Sequence, residues 1–200
     1  MAVQVMLISP ALNAALREAR FDGDATLDAA GVRRARAAAA AVPRADRLLR
    51  GPSGRCAATA EALGLCAEPE PAVRGWDMGR WSGRRLAEVS AAEPEGVSAW
   101  LTDPSAAPHG GESLLALCAR AGRWLETLAS TGEVAGAEGH RVLGVMEPAV
   151  VRAAIVGALG LPPEAFWRLD VAPLTITGLS GRSGRWNLRC GQPLSPASAE

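Results

Sequence analysis

The sequence predicts an α/β fold: one open, mainly parallel sheet with helices on both faces. Two observations lead to this. Short apolar runs of strand length alternate with alanine- and leucine-rich stretches of helix length. The chain has 200 residues, 48% of them hydrophobic, which suits a single domain with one substantial core. The expected domain is residues 1–191, followed by a Pro/Ser/Ala-rich tail, 192–200, that frays.

The elements follow in order. Val3–Ile8 is a first strand, stopped by Ser9-Pro10-Ala11. Asp28 is a good N-cap for the alanine-rich helix Ala29–Val42, which Pro43 closes. A short strand at Arg47–Leu49 runs through Gly51-Pro52-Ser53-Gly54 into the helix Arg55–Leu63. Glu68 to Pro108 is rich in proline, glycine and tryptophan. Irregular structure is expected there, with short helices at Leu86–Ala92 and Val97–Leu101. Gly110-Gly111-Glu112-Ser113 opens an amphipathic helix, Leu114–Ala129. Arg141–Met146 is another apolar strand, followed by Glu147-Pro148 and the helix Ala149–Leu159. Asp170–Cys190 alternates as strands do, with glycine-rich turns.

Composition excludes several function classes. Acids and bases balance at 21 each, against the basic excess of a nucleic-acid binder. Every counted base is arginine, so Schiff-base and Walker A lysines are excluded. No apolar run reaches the roughly 18–20 residues that span a bilayer, and no membrane role is expected. Cys56, Cys66, Cys118 and Cys190 form no CxxC pair and no signal peptide is evident, so reduced thiols in a cytoplasmic protein are expected. No cluster has zinc spacing, so neither metal nor cofactor is expected. A small-molecule ligand and a homo-oligomer are both left open.

A set of segments, in order, resembles one family. These are Leu27-Asp28-Ala29-Ala30-Gly31, Pro52-Ser53-Gly54-Arg55 with Thr59-Ala60-Glu61, and Trp76-Asp77-Met78-Gly79-Arg80-Trp81-Ser82-Gly83. Gly110-Gly111-Glu112-Ser113, Arg120, Val145–Arg152 and Phe166-Trp167-Arg168-Leu169 with Gly184–Leu188 continue it. Together they resemble the histidine phosphatase superfamily, the phosphoglycerate mutase-like proteins. The resemblance implies that fold, with a pocket at the carboxyl ends of the strands.

It also implies where chemistry should lie. The family ends its first strand in Arg-His-Gly; here the triplet is Ile8-Ser9-Pro10. Gly75 stands at the position of a catalytic acid, Glu147 at that of a second histidine, and Arg55 keeps the type of a second arginine. The resemblance therefore implies a site whose catalytic residues are largely replaced. With Ile8 for arginine and a carboxylate at Glu147, a dianionic phosphate is expected to meet a less positive pocket. The leading expectation is a catalytically degenerate protein, a pseudoenzyme, that binds a small ligand or protein partner. One alternative is a hydrolase or phosphatase-related enzyme of altered chemistry, using Glu147 or Ser9 with Arg55. Another is a purely structural or interaction protein whose pocket Ile8 and Pro10 close.

Each candidate residue has a structural reading beside the functional one. Arg55, at a helix start, either holds an anion or pairs with Glu147. Glu147 is a partner of Arg55, a solvated acid or a base. Arg152, one turn into the next helix, faces the same cleft or makes a surface salt bridge. Asp77 borders the pocket, and Trp81 beside it reads as core. His109 is a substitute acid or base, or an exposed loop histidine. His140 lies roughly 20 Å away, across the strand Arg141–Met146, and is set aside.

Overall fold

The computed structural model describes residues 2–21, 25–134, 140–182 and 184–193. Its sheet has six strands: β1 (Val3–Ile8), β2 (Arg47–Arg50), β3 (Glu68–Pro69), β4 (Arg141–Val145), β5 (Thr175–Arg182) and β6 (Arg185–Pro193). They are ordered β3-β2-β4-β1-β5-β6. The first four are parallel, whereas β5 runs antiparallel to β1 and β6 antiparallel to β5. The sheet is thus mixed, with a parallel body and an antiparallel hairpin at one edge. Gln192 and Pro193, expected in the tail, pair with Ile176 and Thr175 as the end of β6. The rest of that expected tail, 194–200, lies outside the described residues.

Side-chain alternation in β1 builds both faces. Val3, Val5 and Leu7 enter a core with the helices α6 (Leu114–Val134) and α7 (Pro148–Leu159), while Ile8 enters another with α2 (Ala29–Ala38) and α3 (Gly54–Ala62). On the second face the small Ala35 and Ala38 of α2 and Ala60 of α3 are among the buried helix residues, and alanine also favours the helix itself. Helix α6 buries Leu114, Leu117, Ala121, Leu125 and Leu128, a stripe at helical spacing.

Caps fix the helix starts. Asp28 Oδ1 accepts the Gly31 N–H at 2.8 Å, and Ser53 Oγ accepts the Cys56 N–H at 3.2 Å. Pro148 occupies the first turn of α7, and Gly160, with φ of 61°, ends it in the left-handed region. Asn13 caps a one-turn helix, α1 (Ala14–Arg17), which the sequence reading did not include.

Both short helices expected in the tryptophan-rich middle segment are present, the second starting at Pro94 rather than Val97. Helices α4 (Leu86–Ala92) and α5 (Pro94–Thr102) enclose Met78, Trp81, Val89 and Trp100, with Phe21, Trp76 and Trp167 packed against them. Trp81 is fully buried, as core packing requires. At Gly79 the backbone has φ of 47°, and a Cβ would fall 2.2 Å from the His109 carbonyl oxygen, so a side chain there is excluded. No described helix is long and apolar enough to cross a membrane.

Candidate active site

After β1 the chain passes to α2 on one face, and after β4 to α7 on the other. Neighbouring strands whose connections diverge in this way leave a crevice at their carboxyl ends. A cleft of about 750 Å³ opens there, lined by Pro10 after β1, Ser53 and Arg55 after β2, and Glu147 and Pro148 after β4. The pocket is therefore where the resemblance implied. It is open: Pro10 lines one wall, and Ile8 is buried in the α2/α3 core. The alternative of a pocket closed by those two residues is corrected accordingly.

Glu147 is the hub of the floor. Its carboxylate pairs with the Arg55 guanidinium through Nη2, and Arg55 Nε donates to Oε1 at 3.3 Å. Ser53 Oγ donates to the same Oε1 at 2.8 Å. Arg55 is 2% exposed and Glu147 6%, so this is a buried ion pair. The Cys56 thiol lies 3.6 Å from Oε1; burial, then the Glu147 charge, pushes its pKa well above the ordinary thiol range. Cys56 is an inert floor residue rather than a nucleophile.

The main chain of Glu147 is fixed as well. Val150 and Val151 donate their N–H groups to the Glu147 carbonyl, starting α7. Gly75 lies beside it: a Cβ there would be 3.5 Å from Glu147 Cγ, an ordinary contact distance.

Ser9 does not belong to this set. It is fully buried, and its hydroxyl donates to the Ala172 carbonyl and accepts the Thr175 N–H at 3.2 Å. It stitches the end of β1 to the loop before β5 and does not line the cleft. Its candidacy as nucleophile is corrected: position at a strand end did not reveal that the side chain turns towards that loop. His109 is corrected too. It is 1% exposed, its Nδ1 accepts the Gly111 N–H at 3.0 Å, and its ring meets Trp81 at 5.2 Å. Burial lowers its pKa, so it is a neutral loop clamp outside the cleft.

Asp77 lines the rim, where its Oδ1 accepts the Gly79 N–H at 2.9 Å and shapes the turn. Arg152 faces the cleft as one reading required. Its guanidinium carbon lies 5.6 Å from the Phe166 ring centroid. Its nearest carboxylate is the exposed Asp170 at 4.0 Å, and its buried Nε has no partner among the described residues. Burial lowers the pKa of Arg152, the mark of a cation short of compensation.

Sequence reasoning missed Ser53, Arg20 and Arg74. Ser53 carries a local signal, since a serine before a helix is an N-cap, but its second bond to Glu147 joins residues 94 positions apart. Arg20 and Arg74 come to the cleft from loops. Arg120, matched only by resemblance, pairs with Glu112 and donates to the carbonyls of Ala72, Arg74 and Gly75. It ties α6 to the segment carrying the rim.

These positions set the charge of the cleft. Arg20, Arg55, Arg74 and Arg152 line the cleft with Asp77 and Glu147; Arg20 pairs with Glu18 at 3.0 Å, Arg74 with Glu112 at 3.6 Å and Arg55 with Glu147, which leaves Arg152 the least compensated. Glu147 is neutralised by Arg55 and is not a free charge repelling anions. Among the described residues no three His, Cys, Asp or Glu side chains are grouped to hold a metal.

Comparisons with known proteins bear on the same point. The sequence profile of the histidine phosphatase superfamily (branch 1) matches residues 11–191. Glucosyl-3-phosphoglycerate phosphatase of Mycobacterium tuberculosis is 34% identical over 109 residues, which are 54% of this chain and 49% of that protein. The match thus spans about half the length of that curated relative. The native structure of the mycobacterial glucosyl-3-phosphoglycerate phosphatase superposes with a TM-score of 0.80 at 25% identity, covering 94% of this chain and 97% of that one. The alpha-ribazole phosphatase of Shigella flexneri shares the fold, with a TM-score of 0.82 at 21% identity over 99% of this chain and 100% of its own. Relatives named as phosphatases, together with an open, arginine-rich cleft, overturn the expectation of a catalytically degenerate binding protein. The chain belongs to branch 1 of the histidine phosphatase superfamily.

Proposed function

We propose that this protein is a phosphatase-related hydrolase that cleaves phosphate monoesters in the cleft at the ends of β1, β2 and β4. The observation that carries this reading is the hydrogen-bonded series Ser53–Glu147–Arg55 in an arginine-lined pocket. A nucleophile within hydrogen-bond reach of a base, itself oriented by a third group, is the arrangement nucleophilic catalysis needs. The curated phosphatase at 34% identity supports the reaction class.

The Ser53 oxygen attacks phosphorus while its proton passes to Glu147, and the P–O bond to the alcohol breaks. Glu147 returns that proton to the leaving oxygen. Water then attacks the phosphoserine, giving its proton to Glu147, and the regenerated Ser53 oxygen takes that proton back as inorganic phosphate departs. Arg152 holds the phosphoryl oxygens, because its charge is the least compensated in the cleft. Arg55 holds Glu147 in place.

Cys56, Cys66 and Cys118 are free thiols, which supports a cytoplasmic setting for this reaction. Phosphate release from p-nitrophenyl phosphate and small alkyl phosphates tests the proposal. Turnover by the wild type, lost in Glu147→Gln, is the expected result. No release from any monoester across pH 5 to 9 contradicts it.

A further inference from the structure

The cleft is polar at its floor and aromatic along one side. Trp76, Trp100, Phe166 and Trp167 all line it, and they form one connected wall. Trp100 meets Trp167 at 4.7 Å, Phe166 meets Trp167 at 5.1 Å and Trp76 meets Phe166 at 5.3 Å, each nearly edge to face. Rings packed this way hold one another in fixed orientations, so the wall is formed before any ligand arrives. Trp76 is fastened further by its indole N–H, which donates to the Glu112 carbonyl at 2.6 Å. Trp100 and Phe166 are buried behind the surface, while Trp76 and Trp167 are half-buried and keep ring area towards the cleft.

Arg152 joins the two halves. It stacks over Phe166, a member of the wall, and lies one turn into α7, whose N-cap is Glu147. A molecule that binds an anion at Arg152 therefore has its remaining atoms beside the aromatic rings. Leu12, Leu16 and Val171 line the cleft as well, so apolar surface is not confined to the rings. A cavity of about 750 Å³ lies within the roughly 300–1,000 Å³ of pockets that enclose whole small-molecule ligands. A phosphate on a two- or three-carbon alcohol would leave most of that wall wet.

We infer that the substrate is a phosphate monoester whose alcohol carries a flat, apolar, fused-ring group that stacks on Trp76 and Trp167. This rests on the reading of the cleft as a phosphomonoesterase site and names the class of molecule it takes.

The full-length protein is assayed with 2-naphthylmethyl phosphate and ethyl phosphate, which share a primary alcohol as leaving group. Binding of 2-naphthylmethylphosphonate, which cannot be hydrolysed, is followed in parallel by quenching of tryptophan fluorescence. The expected result is a kcat/KM at least tenfold higher for the naphthyl ester, a ratio that falls towards one in Trp167→Leu. Phosphonate binding should be weakened by the same substitution. Turnover of both esters with no preference for the naphthyl one overturns the substrate class and leaves the hydrolase reading standing. Tight phosphonate binding without turnover of either ester supports the ligand class and removes the hydrolase reading. Absence of both turnover and binding overturns the inference. Circular dichroism of Trp167→Leu separates loss of the wall from loss of the fold.

Discussion

Arg55 and Arg152 line one cleft from helices that begin at adjacent strand ends, yet their charges are treated oppositely. Arg55 is fully enclosed and spends its guanidinium on the Glu147 carboxylate, which also takes the Ser53 hydroxyl. Arg152 is half-buried, has only the exposed Asp170 at 4.0 Å, and keeps an unpartnered Nε among the described residues. Both pay for desolvation, but only one is compensated inside the protein. The lesson is that the arginine matched by sequence position organises the floor. The arginine left short of a partner is the better receptor for an incoming anion.

Several substitutions test that division. The largest effect is expected at Glu147. Glu147→Ala leaves Arg55 as a buried unpaired charge and should cost about 3–5 kcal/mol of stability, read as a shift in denaturant midpoint, together with all turnover. The double variant Arg55→Met, Glu147→Leu should recover most of the stability but none of the activity. If Glu147→Ala alone is as stable as the wild type, the ion pair is not the organising contact of the floor.

Ser53→Ala should lower kcat by roughly 10²–10⁴-fold, because Glu147 then has no hydroxyl to deprotonate. Its structural cost is that of one lost N-cap, about 1 kcal/mol. Unchanged kcat in this variant would mean that water attacks phosphorus directly. Arg152→Met should raise KM about 10–100-fold, the worth of a charge-assisted hydrogen bond of about 1.5–3 kcal/mol, with the melting temperature nearly unmoved. A matching rise from Arg20→Met or Arg74→Met instead would relocate the anion site to the rim. The smallest effect on chemistry belongs to Ser9→Ala. It should cost about 1–3 kcal/mol of stability, by leaving the Thr175 N–H unsatisfied while the Ala172 carbonyl keeps the Thr175 hydroxyl, and kcat stays within twofold.

The contrast also shows which parts of the molecule could be read from the chain. Val3–Ile8 and Leu86–Ala92 occur at the bounds expected, because local alternation and helix propensity decide them. The two-residue strand β3 was missed, since its pairing with Leu49 and Arg50 has no signature in Glu68-Pro69 itself. Within the site, the Arg55–Glu147 pair was among the readings weighed, because both residues flank helix starts after strands. The hydroxyl was not: Ser9 and Ser53 each follow a strand, and only tertiary contacts send one to Ala172 and the other to Glu147. The aromatic wall draws on α5, on the segment before Asp77 and on residues 166–167, and no local pattern joins those stretches.

The charge of the cleft was counted only in part, for a related reason. Counting Ile8, Gly75 and Glu147 took in only the positions matched by resemblance. Arg20 and Arg74 reach the rim from loops whose path no periodicity reveals.

The most direct test of the central claim is to quench the enzyme in acid during turnover of a phosphate monoester and map the phosphoryl group by peptide mass spectrometry. The account predicts a phosphorylated Ser53, absent from Ser53→Ala and from unreacted protein. Phosphate release without phosphoryl transfer to Ser53, or transfer to another side chain, would contradict it.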